Sequence, residues 1–399
     1  MQKRFTLKMI AAVALSAASL SSMTPLAFAA EQTVKMAAIV ELSGAGATSG
    51  NQFNNGLQMA VKEINAAGGI LGRKIDLSTN DTTTQPGVAL ALTRKAVDQD
   101  VFAIFGPVFT GSILVSMKES QKAGIPNFTG GEGVSITTQG NPYVFRTSFS
   151  QATAMPKIAN YMKTKYKNIA IMYVNNDFGK GGLSSIQKAL AGSDTKIAAE
   201  ISTDSGQVDF SAPVIKAKQS NADALFMYVN EDESARALKE LRKQGWTKPL
   251  IGETTLTGQQ VIDLSAGAAE GAIAHVGLTA DAPIPALLNY KVKYQRAYNQ
   301  ESDHNGIKGY TSVYILKAAI EKVGKFDRKA VTAALHGIKI DATKNPGVLM
   351  NVGFDDKGDP DRESFLVQVK NNKQVVIDVL PPLNPDNVNV KMGAKPTKK

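Results

Sequence analysis

At 399 residues the chain is too long for one ordinary core, and at 43% hydrophobic and 20% charged it reads as two or three folded domains, not as a disordered chain or a coiled coil. The absence of cysteine excludes disulfides, thiolate metal sites, cysteine nucleophiles and a lipid-bearing cysteine, and His275, His304 and His336 are too scattered for a helical metal pair. The formal charge of +10 leans on the two ends (Lys3, Arg4 and Lys8; Lys391, Lys395, Lys398 and Lys399), and no basic stripe interleaved with aromatics argues for nucleic acid.

Residues 1–29 read as a cleavable secretory signal. Lys3, Arg4 and Lys8 precede an uncharged run over 9–20, and Ala27-Phe28-Ala29 supplies the small residues of a cut after Ala29. That run is short against the ~20 residues a bilayer requires, so the mature chain is expected free in a periplasm. From residue 34 onward, short apolar runs alternate with amphipathic stretches. Strands are predicted at 34–40, 75–78, 101–105 and 125–128, and helices at 50–65, 86–98 and 111–123. Phe53, Leu57, Ala60, Val61 and Ile64 recur at helical spacing in the first of these helices.

After Pro142 the order restarts, with helices at 152–165, 179–190, 211–219 and 234–244 around strands at 169–174, 197–201, 224–229 and 250–252. Short connections in β-α-β order predict parallel sheets covered on both faces. The stretches 101–128 and 224–252 look like loose copies of one another, which suggests two similar α/β lobes. Helices at 285–298, 310–323 and 327–335 follow, then a hairpin from 365–369 and 374–379. Little structure is expected beyond Pro381-Pro382.

The candidate sites are loops at strand ends. In 42–50, Gly44-x-Gly46 approaches a dinucleotide fingerprint, but Ser49 stands where the third glycine belongs. In 106–112, Thr110 is placed to cap a helix and Gly111 admits a ligand close to the backbone. No acid occurs in that first turn, so its N–H groups are open to an anion such as a carboxylate; a plain cap is the alternative. Thr129-Gly130-Gly131-Glu132-Gly133 ends the next strand, and two such loops side by side are where α/β sheets bind ligands. In the second lobe, Asn230-Glu231-Asp232-Glu233 either complements a helix dipole or forms a negative wall facing the carboxylate loop, a polarity suited to a zwitterion. Asn175-Asn176-Asp177-Phe178-Gly179 adds amides, an acid and an aromatic face. No nucleophile elbow, Walker loop or His-Glu-x-x-His motif occurs.

The chain resembles the periplasmic substrate-binding proteins of ABC transporters, in the branched-chain amino-acid (Leu/Ile/Val-binding) family, over roughly 34–379. The resemblance rests on Leu42-Ser43-Gly44, on Ile64-Asn65-Ala66-Ala67-Gly68-Gly69-Ile70-Leu71-Gly72, and on Gly106-Pro107 followed by Thr110. Ala123-Gly124-Ile125-Pro126, Phe145-Arg146-Thr147, Asn176-Asp177-Phe178-Gly179 and Ala269-Glu270-Gly271 continue it. It implies an α/β fold of two doubly wound Rossmann-like lobes joined by a three-segment hinge, the type I periplasmic binding protein fold. The crossings are expected near 146–148, 276–279 and 356–362.

The resemblance also implies a ligand carboxylate held at Thr110, beside Phe109, with Gly131 and Gly133 in the neighbouring loop, and Ser49 over the ligand. Phe178 and Asn230 stand where the family's best-known members carry tyrosines. Thr254 falls at the acid that receives the ligand amine, with Glu253 one residue early. Glu132, Asp177 and Glu253 are the acids that could substitute. The expected organisation is a signal at 1–29, a first lobe at 30–147 plus 278–358, a second at 148–277 plus 359–381, and a basic tail at 382–399. The expected function is a non-enzymatic receptor that delivers a small carboxylate-bearing ligand to an inner-membrane ABC permease, with no cofactor or metal. A branched-chain amino acid is the default ligand, and an aromatic or other organic acid or an amide is the alternative. The competing class is an exported α/β enzyme.

Overall fold

The structure, a computed structural model, describes residues 32–384. The expected signal at 1–29 lies outside them, as does the expected tail at 382–399 apart from its first three residues, of which Leu383 and Asn384 donate their N–H groups to the Asp361 carboxylate. The chain opens with β1 (Thr33–Val40), α1 (Ala47–Ala66), β2 (Lys74–Asp81), α2 (Pro86–Asp98), β3 (Ile104–Phe105), α3 (Thr110–Ala123), β4 (Asn127–Thr129) and β5 (Val144–Arg146). These five strands are all parallel, in the order β2-β1-β3-β4-β5. The chain then builds α4 (Gln151–Lys163), β6 (Asn168–Val174), α5 (Asp177–Leu190), β7 (Lys196–Thr203), α6 (Ser211–Gln219), β8 (Ala224–Tyr228) and α7 (Glu231–Lys243). Next come β9 (Leu250–Gly252), the short helices α8 (Thr254–Thr257) and α9 (Gln259–Leu264), and β10 (Ile273–Val276).

Helices α10 (Pro285–Tyr298), α11 (His304–Val323) and α12 (Arg328–Leu335) return to the first core, followed by the small pair β11 (Lys339–Ile340) and β12 (Val352–Gly353). The hairpin β13 (Ser364–Lys370) and β14 (Lys373–Leu380) closes the second sheet, whose order is β14-β13-β10-β9-β8-β6-β7. Without that antiparallel hairpin the order is β7-β6-β8-β9-β10, the pattern of the first sheet. The similar stretches 101–128 and 224–252 fall on the third and fourth strands of each.

Burial on both faces explains why most strands read as continuous apolar runs. Along β1, Met36, Ala38 and Val40 enter the core beneath α1 and α11, while Ala37 and Ile39 enter the core of the opposite face. Along β6, Ile169 and Ile171 face one way and Ala170, Met172 and Val174 the other. The small pair β11–β12 escaped the sequence reading, and so did two strands of the large sheets, β5 and β10, each of three or four residues and carrying a buried charged or polar side chain, Arg146 or His275. Helix α11 begins at His304, not at 310.

The chain passes between the sheets between β5 and α4, between β10 and α10, and between β12 and β13. Phe149 marks where the three crossings meet. Its ring lies 5.5 Å from the Arg362 guanidinium and 5.8 Å from the His275 ring. A Cβ on Gly277 would stand 2.2 Å from the Phe149 ring, so the second crossing requires glycine there.

Candidate functional site

The carboxyl ends of both sheets face one cavity of about 40 Å³. In the first lobe, β3 ends at a loop that turns into α3 at Thr110. The N–H groups just before the helix are not open to a ligand. The Glu41 carboxylate, at the end of β1, accepts from Val108 N at 3.0 Å and Phe109 N at 3.2 Å. Burial raises the Glu41 carboxyl above its usual range, against these hydrogen bonds. The sequence gives no local sign of this, because Glu41 lies 67 residues before Val108. The N–H groups of the first turn of α3 lack intrahelical partners, and Thr110 at its start lines the cavity.

Loop 130–133 is fixed from beneath by Arg146. Its guanidinium donates to Gly131 O at 2.6 Å, Gly133 O at 2.9 Å and the Asp359 carboxylate at 2.6 Å. Ser148 Oγ adds a bond to Gly131 O at 2.7 Å. With its carbonyls drawn down, the loop presents Glu132 to the cavity. Gly133 donates its N–H to Thr110 Oγ1 at 3.3 Å, and a Cβ there would lie 2.4 Å from Thr110 Cγ2. Gly133 therefore props Thr110 and does not itself line the cavity.

The three acids that open α7 have three different tasks. Glu233 accepts from Asn230 N at 3.0 Å and Asn230 Nδ2 at 2.8 Å, closing a capping box. Asp232 accepts from the Thr48 hydroxyl of the opposite lobe at 2.8 Å. Glu231 lines the cavity, where it accepts from Asn305 Nδ2 at 3.1 Å and lies 3.7 Å from His304 Nε2. Beside them Phe178 stacks on Tyr228, with centroids 4.2 Å apart.

The third wall is the start of α11, which the sequence reading left as loop. Asp303 caps it, accepting from Asn305 N at 2.8 Å and Gly306 N at 3.1 Å. His304 and Lys308, four residues apart, and Asn305 share the face turned to the cavity. Lys308 Nζ reaches Glu132 Oε1, Gly130 O and Asn305 Oδ1, each at 3.3 Å. The signal that could have found this wall is Ser302-Asp303 as a cap; Gly306 and Gly309 hid the helix behind it.

Of the residues expected at the site, Ser49, Phe109, Thr110, Gly131, Phe178 and Asn230 line the one cavity. Thr254 does not. Its N–H and hydroxyl both bond the Glu253 carboxylate, and the next residue, Thr255, lines the cavity instead. Glu253 is spent as well, with Oε1 2.5 Å from His275 Nδ1. Burial pushes the Glu253 carboxyl up, but the His275 contact and the Thr254 hydrogen bonds together hold the group below its usual range. Asp177 is exposed, so Glu132 is the one of the three named acids that lines the cavity. Among the described residues no cluster of His, Asp and Glu could hold a metal ion.

Burial pushes the Glu132 carboxyl up to about 7, opposed by Lys308 and reinforced by Glu253 and Glu231. Burial, with Glu231 adding to it, likewise pushes Asp303 to about 7. A raised carboxyl holds a proton that the unfolded chain has already released. Its stabilising contribution is therefore complete below the ordinary carboxylate range and is lost as pH rises through about 7. The thermal midpoint is expected to fall from pH 5 to pH 8, and Glu132→Gln to flatten that slope. An equally steep slope in the variant would assign the effect to other groups.

Comparison with known proteins agrees with this architecture. A profile described as periplasmic binding protein matches residues 33–374. The leucine-, isoleucine-, valine-, threonine- and alanine-binding protein of Pseudomonas aeruginosa is 25% identical over 350 residues, covering 85% of this chain and 90% of that protein. A Leu/Ile/Val-binding protein of Rhizobium johnstonii is 28% identical over 347 residues, covering 85% and 93%. Among solved structures, a branched-chain amino acid transporter substrate-binding protein of Streptococcus pneumoniae in complex with isoleucine has a TM-score of 0.80 at 24% identity, covering 88% of this chain and 100% of that one. A solute-binding protein of R. palustris in complex with benzoate has a TM-score of 0.81 at 20% identity, covering 90% and 100%. These two likenesses establish the fold as that of type I periplasmic binding proteins. The chain belongs to the periplasmic binding protein family, with Leu/Ile/Val-binding proteins among its relatives.

Proposed function

We propose that the chain is a non-enzymatic solute receptor of an ABC importer, exported through a signal at 1–29 to a periplasm. It clamps a small carboxylate-bearing ligand between two lobes, one built on each sheet, and presents the closed form to a permease. The observation that carries this reading is the shared cavity. It lies at the carboxyl ends of both sheets, with the start of α3 at Thr110 on one side and the start of α7 on the other. Among the described residues no helix is long and apolar enough to cross a membrane.

Closure follows from differential contact. The bonds Thr48–Asp232, Asn305–Glu231 and Tyr228–Glu132 each join one lobe to the other and are lost if the lobes part. A ligand touching both walls favours the closed form by the contacts only that form makes. The ligand carboxylate is placed at Thr110 Oγ1 and the first-turn N–H groups of α3. An amino acid is the first reading, in keeping with the named relatives. An aromatic acid is the second, favoured by the rings of Phe109 and Phe178 in the lining.

A thermal-shift screen followed by calorimetry tests the role. At a hundred times its dissociation constant a ligand adds about 2.7 kcal/mol, which moves the midpoint by degrees. Thr110→Val is expected to weaken carboxylate binding by roughly 1–3 kcal/mol and also to lower the ligand-free midpoint, because it removes the acceptor of the buried Gly133 N–H. Undiminished affinity would remove Thr110 from the site.

A further inference from the structure

We propose that Glu231 receives the ammonium group of the ligand, and that the ligand is an amino acid with a polar side chain, not a branched aliphatic one. This rests on the receptor reading above and adds to it the chemistry of the second wall.

Glu231 is buried at the cavity surface, with its side chain 7% exposed. Its contacts there are neutral. One is the Asn305 amide; the other is the His304 ring, whose imidazole is held uncharged by burial and by the nearby Lys308. A buried carboxylate without a cation in contact is unfavourable, and a ligand ammonium is the group that completes it. The acids nearest to it at these strand ends are committed. Asp232 holds Thr48, Glu233 holds the Asn230 cap, and Glu253 holds His275. Their partners lie within 2.5–3.0 Å, so a ligand would have to break an existing bond to use them.

The remaining wall decides the side chain. Apart from glycines, its apolar members are Val108, Phe109 and Phe178. The same lining holds the buried Lys308–Glu132 pair and the amides of Asn230 and Asn305. An isobutyl or sec-butyl group pressed onto that pair would bury its polar atoms further and return no hydrogen bond. An amide, hydroxyl or carboxylate on the ligand side chain can bond with them. A site lined to meet a polar group rejects the analogue that lacks it more strongly than an apolar pocket rejects an added methylene.

The test uses the mature chain, refolded to remove carried-over solute, in wild-type and Glu231→Gln forms. The probes are the twenty common amino acids, 4-methylpentanoate and benzoate, by thermal shift and then calorimetry. The expected result is stabilisation by one or more polar amino acids and none by 4-methylpentanoate or benzoate. Glu231→Gln should then weaken the amino acid roughly 10- to 100-fold. Its ligand-free midpoint reports whether the variant still folds. Tightest binding of leucine, isoleucine or valine, or of an amine-free acid with Glu231→Gln unaffected, overturns the inference and leaves the receptor reading standing. Binding of none of these carboxylates overturns both.

Discussion

Replacing Arg146 by methionine is expected to lower the unfolding free energy by about 3–5 kcal/mol, the scale of breaking a buried ion pair from one side. The side chain is fully buried and its guanidinium serves three segments at once. It draws down the carbonyls of Gly131 and Gly133, bonds the Thr137 hydroxyl at 3.1 Å, and pairs with Asp359 on the third crossing. Methionine fills part of the volume but removes the charged donor from two carbonyls and a carboxylate, which keep only Ser148 Oγ, Ile136 N and Thr137 Oγ1. Asp359→Asn should be milder, because the Asp359 side chain is 18% exposed and water can replace part of the interaction. Urea unfolding can locate the loss as well as size it. The single tryptophan, Trp246, is buried in the core of the second lobe, whereas far-UV circular dichroism reads both lobes. The dichroism transition of Arg146→Met should move to lower urea ahead of the Trp246 transition. A change under about 1 kcal/mol would mean that the carbonyls find other donors and that Arg146 is not what shapes loop 130–133.

How much of this was legible beforehand depended on whether the decisive contact was local. The runs at 169–174 and 224–229 are apolar along their whole length, since both faces of β6 and β8 are covered. They could be read from pattern alone. Helices 86–98, 211–219 and 285–298 match α2, α6 and α10 end to end. Strand ends and loop chemistry singled out the loops that carry Phe109, Thr110, Gly131, Phe178 and Asn230, the family resemblance supplied the ligand positions including Ser49, and all six residues line the cavity. What escaped was set by distant partners. Glu41 blocks two amides of a loop far along the chain, and Glu253 turns away because His275 waits for it on β10. Thr254 and Thr255 differ by one position in a short helix, enough to send one side chain to Glu253 and the other to the cavity. Asn305 and Lys308 were missed because Gly306 and Gly309 argue against a helix by propensity, although tertiary packing requires them there.

That packing predicts the second large effect, a loss of about 2–3 kcal/mol or more in Gly309→Ala. Propensity alone points the other way, since alanine in place of glycine inside a helix gains up to about 1 kcal/mol. The surroundings reverse the sign. A Cβ on Gly309 would lie 2.0 Å from Phe53 O and 3.1 Å from Leu57 N, both backbone atoms of α1. From the other side, a Cβ on Gly56 would lie 1.9 Å from Gly306 O. The two helices therefore touch backbone to backbone, and a methyl group cannot enter by turning a flexible side chain aside. It has to lift α11 from α1, opening the core around Phe53, Leu57, Ile307 and Val313. Gly87→Ala in α2 is the matched control, because nothing lies within 4 Å of its added Cβ. It should leave stability unchanged or raise it slightly. The same displacement reaches the ligand wall, because the first turns of α11 carry Asn305 and Lys308 into the cavity. Affinity is expected to fall together with stability in Gly309→Ala and to stay put in Gly87→Ala. If Gly309→Ala kept its midpoint while losing affinity, α11 would be free to shift without opening the core, and the rigid seating of the third wall would be refuted.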